Sequence, residues 1–300
     1  MSCSQLVSHS GRWTKNTFST NKWTCCGGRN KNSTLCDSEP PLLQNNCVYV
    51  KAGLNGLEHG LALAKDQGIQ TIILEDGIHV CEMTLEHSNY VVIDFAVTII
   101  GSEHGMCYIY GGLMIYGKSG HAQIERNFVG HGFKYVIPVT IKCINVRGSK
   151  ENGIFVDEGA SIHLENVRVD QSGGIGVYLS NGNKNTMRNV EVSKSGSSGI
   201  FSMEGNLKIS GPKSRVSHNC LLNNDTHYGL NAYGATSVID IVLPLTKKIL
   251  SYNNNGGGNW GGGGKFNKKI EVYIMIFNLG TQHFLNKIKN LQRTIHVAKT

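Results

Sequence analysis

A repeat of 23 residues in the middle of the chain limits its possible folds more than any other feature. In register, residues 139–161 read VTIKCINVRGSKENGIFVDEGAS, residues 162–184 read IHLENVRVDQSGGIGVYLSNGNK, and residues 185–207 read NTMRNVEVSKSGSSGIFSMEGNL. Branched apolar residues recur in fixed columns, such as Ile154, Val177 and Ile200. Each repeat holds two short alternating segments separated by a Ser/Gly turn, which is the period-2 pattern of β-strands.

A unit of this size cannot bury its apolar face alone, so it must stack on copies of itself. If equivalent strands pair in parallel at about 4.8 Å, each column becomes a ladder along the axis, with Val and Ile filling a narrow interior. Left-handed hexapeptide solenoids would show a shorter sub-period, which these rows lack. We therefore predict an all-β fold, a right-handed parallel β-helix.

The flanking sequence extends this solenoid. The segment GLEHGLALAKDQGIQTIILEDGIHV predicts a short capping helix over the N-terminal end and then a strand, because Leu57, Leu61 and Ala64 fall on one helical face. Two loops interrupt the pattern, at residues 121–138 and 217–228. Insertions in a solenoid often form its binding face. In the second loop this singles out four residues: His218, Asp225, His227 and Tyr228.

The formal net charge of +8 lies almost entirely at the two ends of the chain. Residues 1–47 carry +3, residues 265–300 carry +6, and the segment between them carries −1. Binding of nucleic acid by the body is therefore not expected, and only the ends could track a phosphate backbone. The chain lacks a long apolar run and a secretory signal pattern, so we expect an intracellular protein of the cytoplasm or nucleus, with cysteines as free thiols or metal ligands.

From about residue 53 to 264 the sequence resembles the pectin-lyase-like right-handed β-helix proteins. The capping helix segment and the NVRVDQSGGIGVYLSNG rows carry this resemblance. More narrowly, TIIGSEHGMCYIYGGLMIYGK, SHNCLLNN, YGLNAY and NNNGGGNWGGGG are similar to uncharacterised β-helix proteins of algae, other protists and large DNA viruses. The resemblance implies the fold strongly and function weakly, since the fold hosts polysaccharide lyases, hydrolases and epimerases as well as non-catalytic binding modules.

Catalysis on glycans needs a paired acid and base, and the acids of the repeats do not form such a pair in adjacent coils of one column. The six acids are Asp157, Glu158, Glu165, Asp170, Glu191 and Glu204. The least implausible catalytic participants are Arg168, Asp170, Asp225 and His227, and none is assigned a catalytic role. We predict a non-catalytic binding or scaffold protein, with carbohydrate or protein as the ligand along its lateral face. The alternative is a polysaccharide lyase or glycoside hydrolase.

Two further columns carry specific expectations. Cys143, Asn166 and Asn189 align, and their amides are expected to stack at an inward turn and to bond successive coils. The aromatic column Phe155, Tyr178 and Phe201 could form a sugar-stacking stripe or could stabilise the solenoid by stacking, and the first expectation is weighed below the second.

Five of the nine cysteines lie in the first 47 residues, at positions 3, 25, 26, 36 and 47. The string HSGRW…WTCCGG…C resembles the zinc modules with a tryptophan-Cys-Cys motif that are related to CHORD domains. This resemblance implies one structural zinc held by Cys3, His9, Cys36 and either Cys25 or Cys26. A disordered tail with free cysteines is the alternative.

These features divide the chain into three parts. Residues 1–47 form a Cys-rich segment that could bind zinc, residues 48–264 the right-handed parallel β-helix, and residues 265–300 a basic extension. The run NNNGGGNWGGGG is either a flexible linker or a capping loop held by Trp260. For the extension, a cap over the last coil, a membrane-surface helix and an unstructured tail all stay open.

Overall fold

The computed structural model describes residues 40–80, 89–117, 136–157, 160–180 and 184–270. Within them, short strands recur in threes, and each strand pairs with its equivalents in the neighbouring coils. None of the helices in these ranges is long and apolar enough to cross a bilayer.

Three sheets run along the axis, and we call them A, B and C in the order in which a coil visits them. Sheet A contains β1 (Leu42–Gln44), β2 (Cys47–Val50), β4 (Thr71–Leu74), β7 (Val97–Ile100), β10 (Ile137–Lys142), β13 (Ala160–Glu165), β16 (Asn185–Arg188), β19 (Asn206–Ser210), β22 (Val238–Val242) and β25 (Lys265–Lys269). Sheet B contains β3 (Gly53–Leu54), β5 (Gly77–Val80), β8 (Cys107–Tyr110), β11 (Asn145–Arg147), β14 (Arg168–Asp170), β17 (Glu191–Ser193), β20 (Arg215–Ser217) and β23 (Ser251–Tyr252). Sheet C contains β6 (Tyr90–Ile93), β9 (Gly112–Ile115), β12 (Ile154–Val156), β15 (Val177–Ser180), β18 (Ile200–Met203), β21 (Leu230–Tyr233) and β24 (Trp260–Gly261).

The strand registers reproduce the sequence repeat. Val146 lies opposite Val169 in sheet B, and Ile154 lies opposite Val177 in sheet C, each at the predicted offset of 23. Except for the antiparallel pair of β1 and β2, all the strand pairs described are parallel. The chain therefore winds as a parallel β-helix, as predicted.

The core is a set of apolar columns inside the three sheets. Val169, Val192 and Val177 are completely buried. Along the longer strands β10 and β13, every second residue is buried and the residues between are at least partly exposed. This alternation is the burial pattern that the sequence periodicity predicts. The insertion is also confirmed, because Ile200 lies opposite Leu230 at an offset of 30.

Helix α1 (Gly56–Asp66) packs on the first coil and confirms the predicted capping helix. Leu57, Leu61 and Ala64 are buried on its inner face. Gly60 lets the helix approach sheet A closely, because a Cβ there would lie 2.3 Å from a methyl carbon of Val50. The helix covers one end of the core and so shields the N-terminal edge from pairing with another chain.

The turn between sheets A and B contains the column Cys143, Asn166 and Asn189, and all three have left-handed backbones with φ of 54° to 56°. Asparagine tolerates this conformation better than most residues, because its short polar side chain bonds locally. Asn189 donates a hydrogen bond of 3.1 Å to Asn166, which confirms the expected bond between coils. The expected inward orientation is wrong, since Asn166 is exposed and Asn189 is half-buried.

The buried polar column lies instead at the turn between sheets B and C. Its successive members are Ser149, Ser172, Ser195 and Asn219, all at most 3% exposed, followed by Asn254. Asn219 is hydrogen-bonded on both sides. Its side-chain oxygen accepts from the Ser195 backbone amide, and its two side-chain N–H groups are shared among three acceptors, the Asn254 side-chain oxygen and the carbonyls of Val192 and Ser217. The two asparagines thus tie the last coils together from the inside, since Asn254 in turn accepts from the Asn219 backbone amide.

The glycine-rich run forms a last coil and not a flexible linker. Strand β24 pairs with β21, and β25 pairs with β22. The β-helix therefore continues past residue 264, where the change of composition suggests that it ends. The ring of Tyr228 packs against Gly257 and Gly261. A Cβ atom would lie 2.5 Å from a ring carbon of Tyr228 if added at Gly257, and 2.3 Å from one if added at Gly261. Only glycine leaves room for this ring.

Helix α2 (Lys247–Leu250) precedes the last coil, and Thr246 caps it by accepting a hydrogen bond from the Ile249 amide. Lys247 places its ammonium group 5.3 Å from the ring centre of Trp260 and 5.4 Å from that of Phe266. Trp260 is therefore held in place, as the capping-loop interpretation requires, by a cation–π contact.

Candidate ligand-binding site

The aromatic column of sheet C is a continuous stack of four rings. Phe155, Tyr178 and Phe201 follow one another with centroids 4.9 and 5.2 Å apart, and Tyr233 adds a fourth at 5.5 Å. Tyr233 does not belong to the column of Phe201, because it pairs with Met203, two residues further along the strand. Its ring nevertheless stacks on the ring of Phe201. The repeat pattern does not predict this fourth ring, because it aligns aromatics within one column only.

Stacking of this kind covers the ring faces against which a sugar would pack. Sugar C–H groups pack against the negative face of a ring, but in this ladder each inner ring covers its neighbours, with interplanar angles of 9° to 25°. The inner rings present mainly their edges to solvent, and Tyr233, which is 56% exposed, ends the stack. The ladder therefore favours the structural interpretation of the column over the sugar-stacking one.

The outward face of sheet B carries a different chemistry, with charged side chains on four consecutive strands. Asp170 is only 6% exposed and accepts a hydrogen bond of 2.8 Å from Ser193. Its oxygens also lie 3.6 Å from Arg147 and 3.9 Å from Arg168. Ser193 and the two arginines thus stabilise the carboxylate of Asp170. The carboxylate in turn orients the two arginine side chains.

Further along the axis, Glu191 and Arg215 form an ion pair at 3.0 Å in the same column as Arg168. These side chains line a groove with a volume of about 220 Å³. Tyr252 stands at its far end, where its ring contacts His218 edge-on at 6.4 Å between centroids. The complete lining is Arg168, Glu191, Val192, Ser193, Lys194, Arg215, Ser217, His218 and Tyr252.

The residues that follow strands β14, β17 and β20 of sheet B adopt a left-handed backbone. Gln171, Lys194 and His218 do so with φ of 56° to 58°, although none of them is Gly, Asn or Asp. A left-handed residue of this type costs roughly 1–2 kcal/mol. The chain therefore holds Lys194 and His218 at the groove rim in a conformation that their own preferences disfavour.

The four residues singled out for catalysis do not form one cluster. Arg168 and Asp170 come together in sheet B, whereas Asp225 and His227 lie in the loop that precedes sheet C. That loop is tied to the last coil, because the amide of Gly257 donates to the His227 carbonyl. Of the four residues noted in the loop, only His218 lines the groove.

Three of the described acids of the repeats form ion pairs with basic side chains: Glu165, Asp170 and Glu191. Glu165 accepts from Lys142 at 3.0 Å on sheet A, and this hydrogen bond lowers the pKa of Glu165 below its ordinary value. No set of three or more His, Cys, Asp or Glu side chains within the described ranges could hold a metal ion. The proposed zinc ligands Cys3, His9, Cys25 and Cys36 lie outside these ranges.

A second cavity, of about 560 Å³, opens at the C-terminal end of the core. Trp260, Phe266 and Lys268 continue the inward columns of Leu230, Ile239 and Ile241 into the last coil. Trp260, Phe266 and Lys268 line this cavity together with Lys247, among other described residues.

Comparison with known proteins supports the fold and does not identify a ligand. Residues 128–264 match the family model of the right handed beta helix region. No curated protein and no solved structure matches the chain. The fold is a right-handed parallel β-helix, as predicted from the repeat, whereas the narrower resemblance to pectin-lyase-like proteins remains a prediction.

Proposed function

We propose that this chain is a non-catalytic binding protein whose β-helix holds a carbohydrate in the groove on the outer face of sheet B. The observation that carries the proposal is the lining of that groove. It combines cationic donors, carboxylate and hydroxyl acceptors and one aromatic ring, Tyr252, on a rigid sheet. Sugars present alternating donors and acceptors around an apolar ring, and a few fixed polar groups beside an aromatic ring suit them.

The electrostatics of the groove favour binding over proton transfer. For either groove carboxylate to act as a general acid or base, it would have to be free to exchange its proton with the substrate. Asp170 is buried between Arg147, Arg168 and Ser193, and Glu191 is paired with Arg215. Both acids therefore orient arginine donors, which is a positioning role.

The test is a glycan array probed with the full-length chain, with cleavage of the same oligosaccharides followed in parallel. Binding without new reducing or unsaturated ends is the expected result. Tyr252→Ala should weaken that binding, whereas the matched control Tyr110→Ala, on the same face but outside the groove, should not. Cleavage would contradict the proposal and favour a lyase or hydrolase, and an array without binding would favour a protein ligand.

We infer from the N-terminal sequence that residues 1–47 bind one structural zinc. The ligands would be Cys3, His9, Cys36 and one of Cys25 and Cys26, a set of nitrogen and sulfur donors that tetrahedral zinc prefers. Elemental analysis of the full-length chain should give about one zinc per molecule, and Cys36→Ser should lower this content toward zero. Equal zinc in the two proteins would contradict the assignment.

A further inference from the structure

The groove face carries a net positive charge, although the β-helix taken as a whole does not. Strands β11, β14, β17 and β20, with the residue that follows each, present four cations outward but only two acids. The cations are Arg147, Arg168, Lys194 and Arg215, and the acids are Asp170 and Glu191. The face is thus at +2, although residues 48–264 as a whole are at −1.

The ion pairs leave donors available. An arginine has five N–H donors, so Arg215 can bond Glu191 through Nε and still point other N–H groups at a ligand. Arg168 contacts Asp170 only at 3.9 Å. The side chains of Arg168 and Arg215 are about half exposed, so a ligand can reach both.

The spacing of the cations follows from the strand ladder. Arg168 and Arg215 occupy one column and are separated by the single strand β17. Two strand spacings amount to about 10 Å along the axis. Glu191 stands between them in the same column and would repel a negative group at the intermediate position. A ligand that runs along the axis should therefore carry its charges at every second step and not at every step.

We propose that the groove binds an anionic glycan with one charged group per disaccharide, whose charged groups contact Arg168 and Arg215. Lys194, at the rim, contacts the same anionic groups from the side, and Tyr252 packs against a sugar ring at the end of the groove. This inference rests on the proposed carbohydrate-binding function and adds the charge and the repeat of the ligand. An extended glycan of this kind places its charges about as far apart as alternate strands of the sheet.

Fluorescence anisotropy with labelled hexasaccharides tests the inference on the full-length chain. The probes are κ-carrageenan (one sulfate per disaccharide), hyaluronan (one carboxylate per disaccharide), polygalacturonate (one carboxylate per sugar) and neutral chitin. Binding is expected for at least one of the first two, to be weaker for polygalacturonate and chitin, and to fall as salt is raised. The first two probes distinguish a sulfate from a carboxylate as the recognised group.

Two charge-removing variants and a control make the test specific. Arg168→Gln and Arg215→Gln should each weaken binding by about fivefold, near the upper end for a solvent-exposed charge pair. Arg188→Gln removes the same charge from the neighbouring sheet A and should leave binding unchanged. Circular dichroism melting checks that each variant is folded, and Asp170 keeps Arg147 and Ser193 when Arg168 is replaced.

The possible failures are distinct. If chitin binds as tightly as the charged probes and both arginine variants bind normally, the charge inference is overturned while the carbohydrate-binding proposal stands. If none of the four probes binds and the glycan array is also blank, both are overturned. A single-stranded oligonucleotide that binds more tightly than every glycan would overturn the inference in favour of a phosphate backbone.

Discussion

Asn219 offers the sharpest test of how the coils are held together. Its side chain is completely buried, and its amide group is bonded to both neighbouring coils. Replacement by Ala leaves the Ser195 N–H without its acceptor, and the Val192 and Ser217 carbonyls each lose a donor. An unpaired buried group costs about 1–3 kcal/mol, so we expect Asn219→Ala to lower the free energy of unfolding by roughly 3 kcal/mol.

Urea unfolding followed by circular dichroism measures this loss. Asn219→Ser, which copies the residue of the three preceding coils in this column, should fall between the wild type and Asn219→Ala. Asn267→Ala is the control, because its side chain makes one exposed hydrogen bond of 3.0 Å to Asp240. A surface change of this kind should cost about 0.5 kcal/mol or less. Equal losses for Asn219→Ala and Asn267→Ala would refute the idea that the buried Asn219 holds neighbouring coils together.

Three further results are expected. Tyr178→Ala removes stacking on two sides and should cost roughly 3 kcal/mol in the same urea assay, more than Tyr233→Ala at the exposed end of the ladder; equal costs would speak against a structural ladder. Gly261→Ala should lower the free energy of unfolding by about 2 kcal/mol, because the new Cβ would lie 2.3 Å from a ring carbon of Tyr228. This loss should be smaller in a Tyr228→Ala background, and an unchanged loss would rule out the contact as its cause. Burial raises the pKa of the Cys107 thiol to about 12, so iodoacetamide at pH 8 should modify it only after unfolding, as peptide mass mapping will show; modification of the native protein would contradict its burial.

The repeat makes the fold predictable because it carries its own register. A fixed offset of 23 residues is enough to align Val146, Val169 and Val177 with their partners from the sequence alone. The offset of 30 at Leu230 is equally visible, since a glycine precedes the apolar residue in both coils. Hydrophobic columns are set by burial, and burial is what sequence periodicity reports.

Side-chain direction at the turns is less predictable. Asn166 and Asn189 resemble an inward amide ladder in the sequence, but the left-handed backbone at this turn explains their identity and leaves them at the surface. The inward positions are occupied by serines and by Asn219. The serine column can be seen in the sequence, but the sequence alone does not indicate that it is buried. Period-2 alternation applies to strands, and it does not extend through a turn with a single left-handed residue.

The groove escapes prediction from the sequence for a related reason. Arg168, Glu191 and Arg215 share a column, but their offsets are 23 and 24 residues, and their charges alternate. A search for like residues at a constant spacing passes over such a set. Reading the outward columns for charge order, with a one-residue insertion allowed, would find it.

The one-dimensional stacking of equivalent coils also bears on how such a protein can evolve. An in-frame duplication of the segment that encodes one coil would add a strand to each sheet at the existing register, and the hydrophobic columns would simply continue. The outward columns could then diverge one residue at a time without disturbing the interior. The number of coils would thus set the length of ligand that the outer face can bind. Point substitutions, such as the difference between Arg168 and Glu191 at equivalent positions, would set the charge pattern of that face.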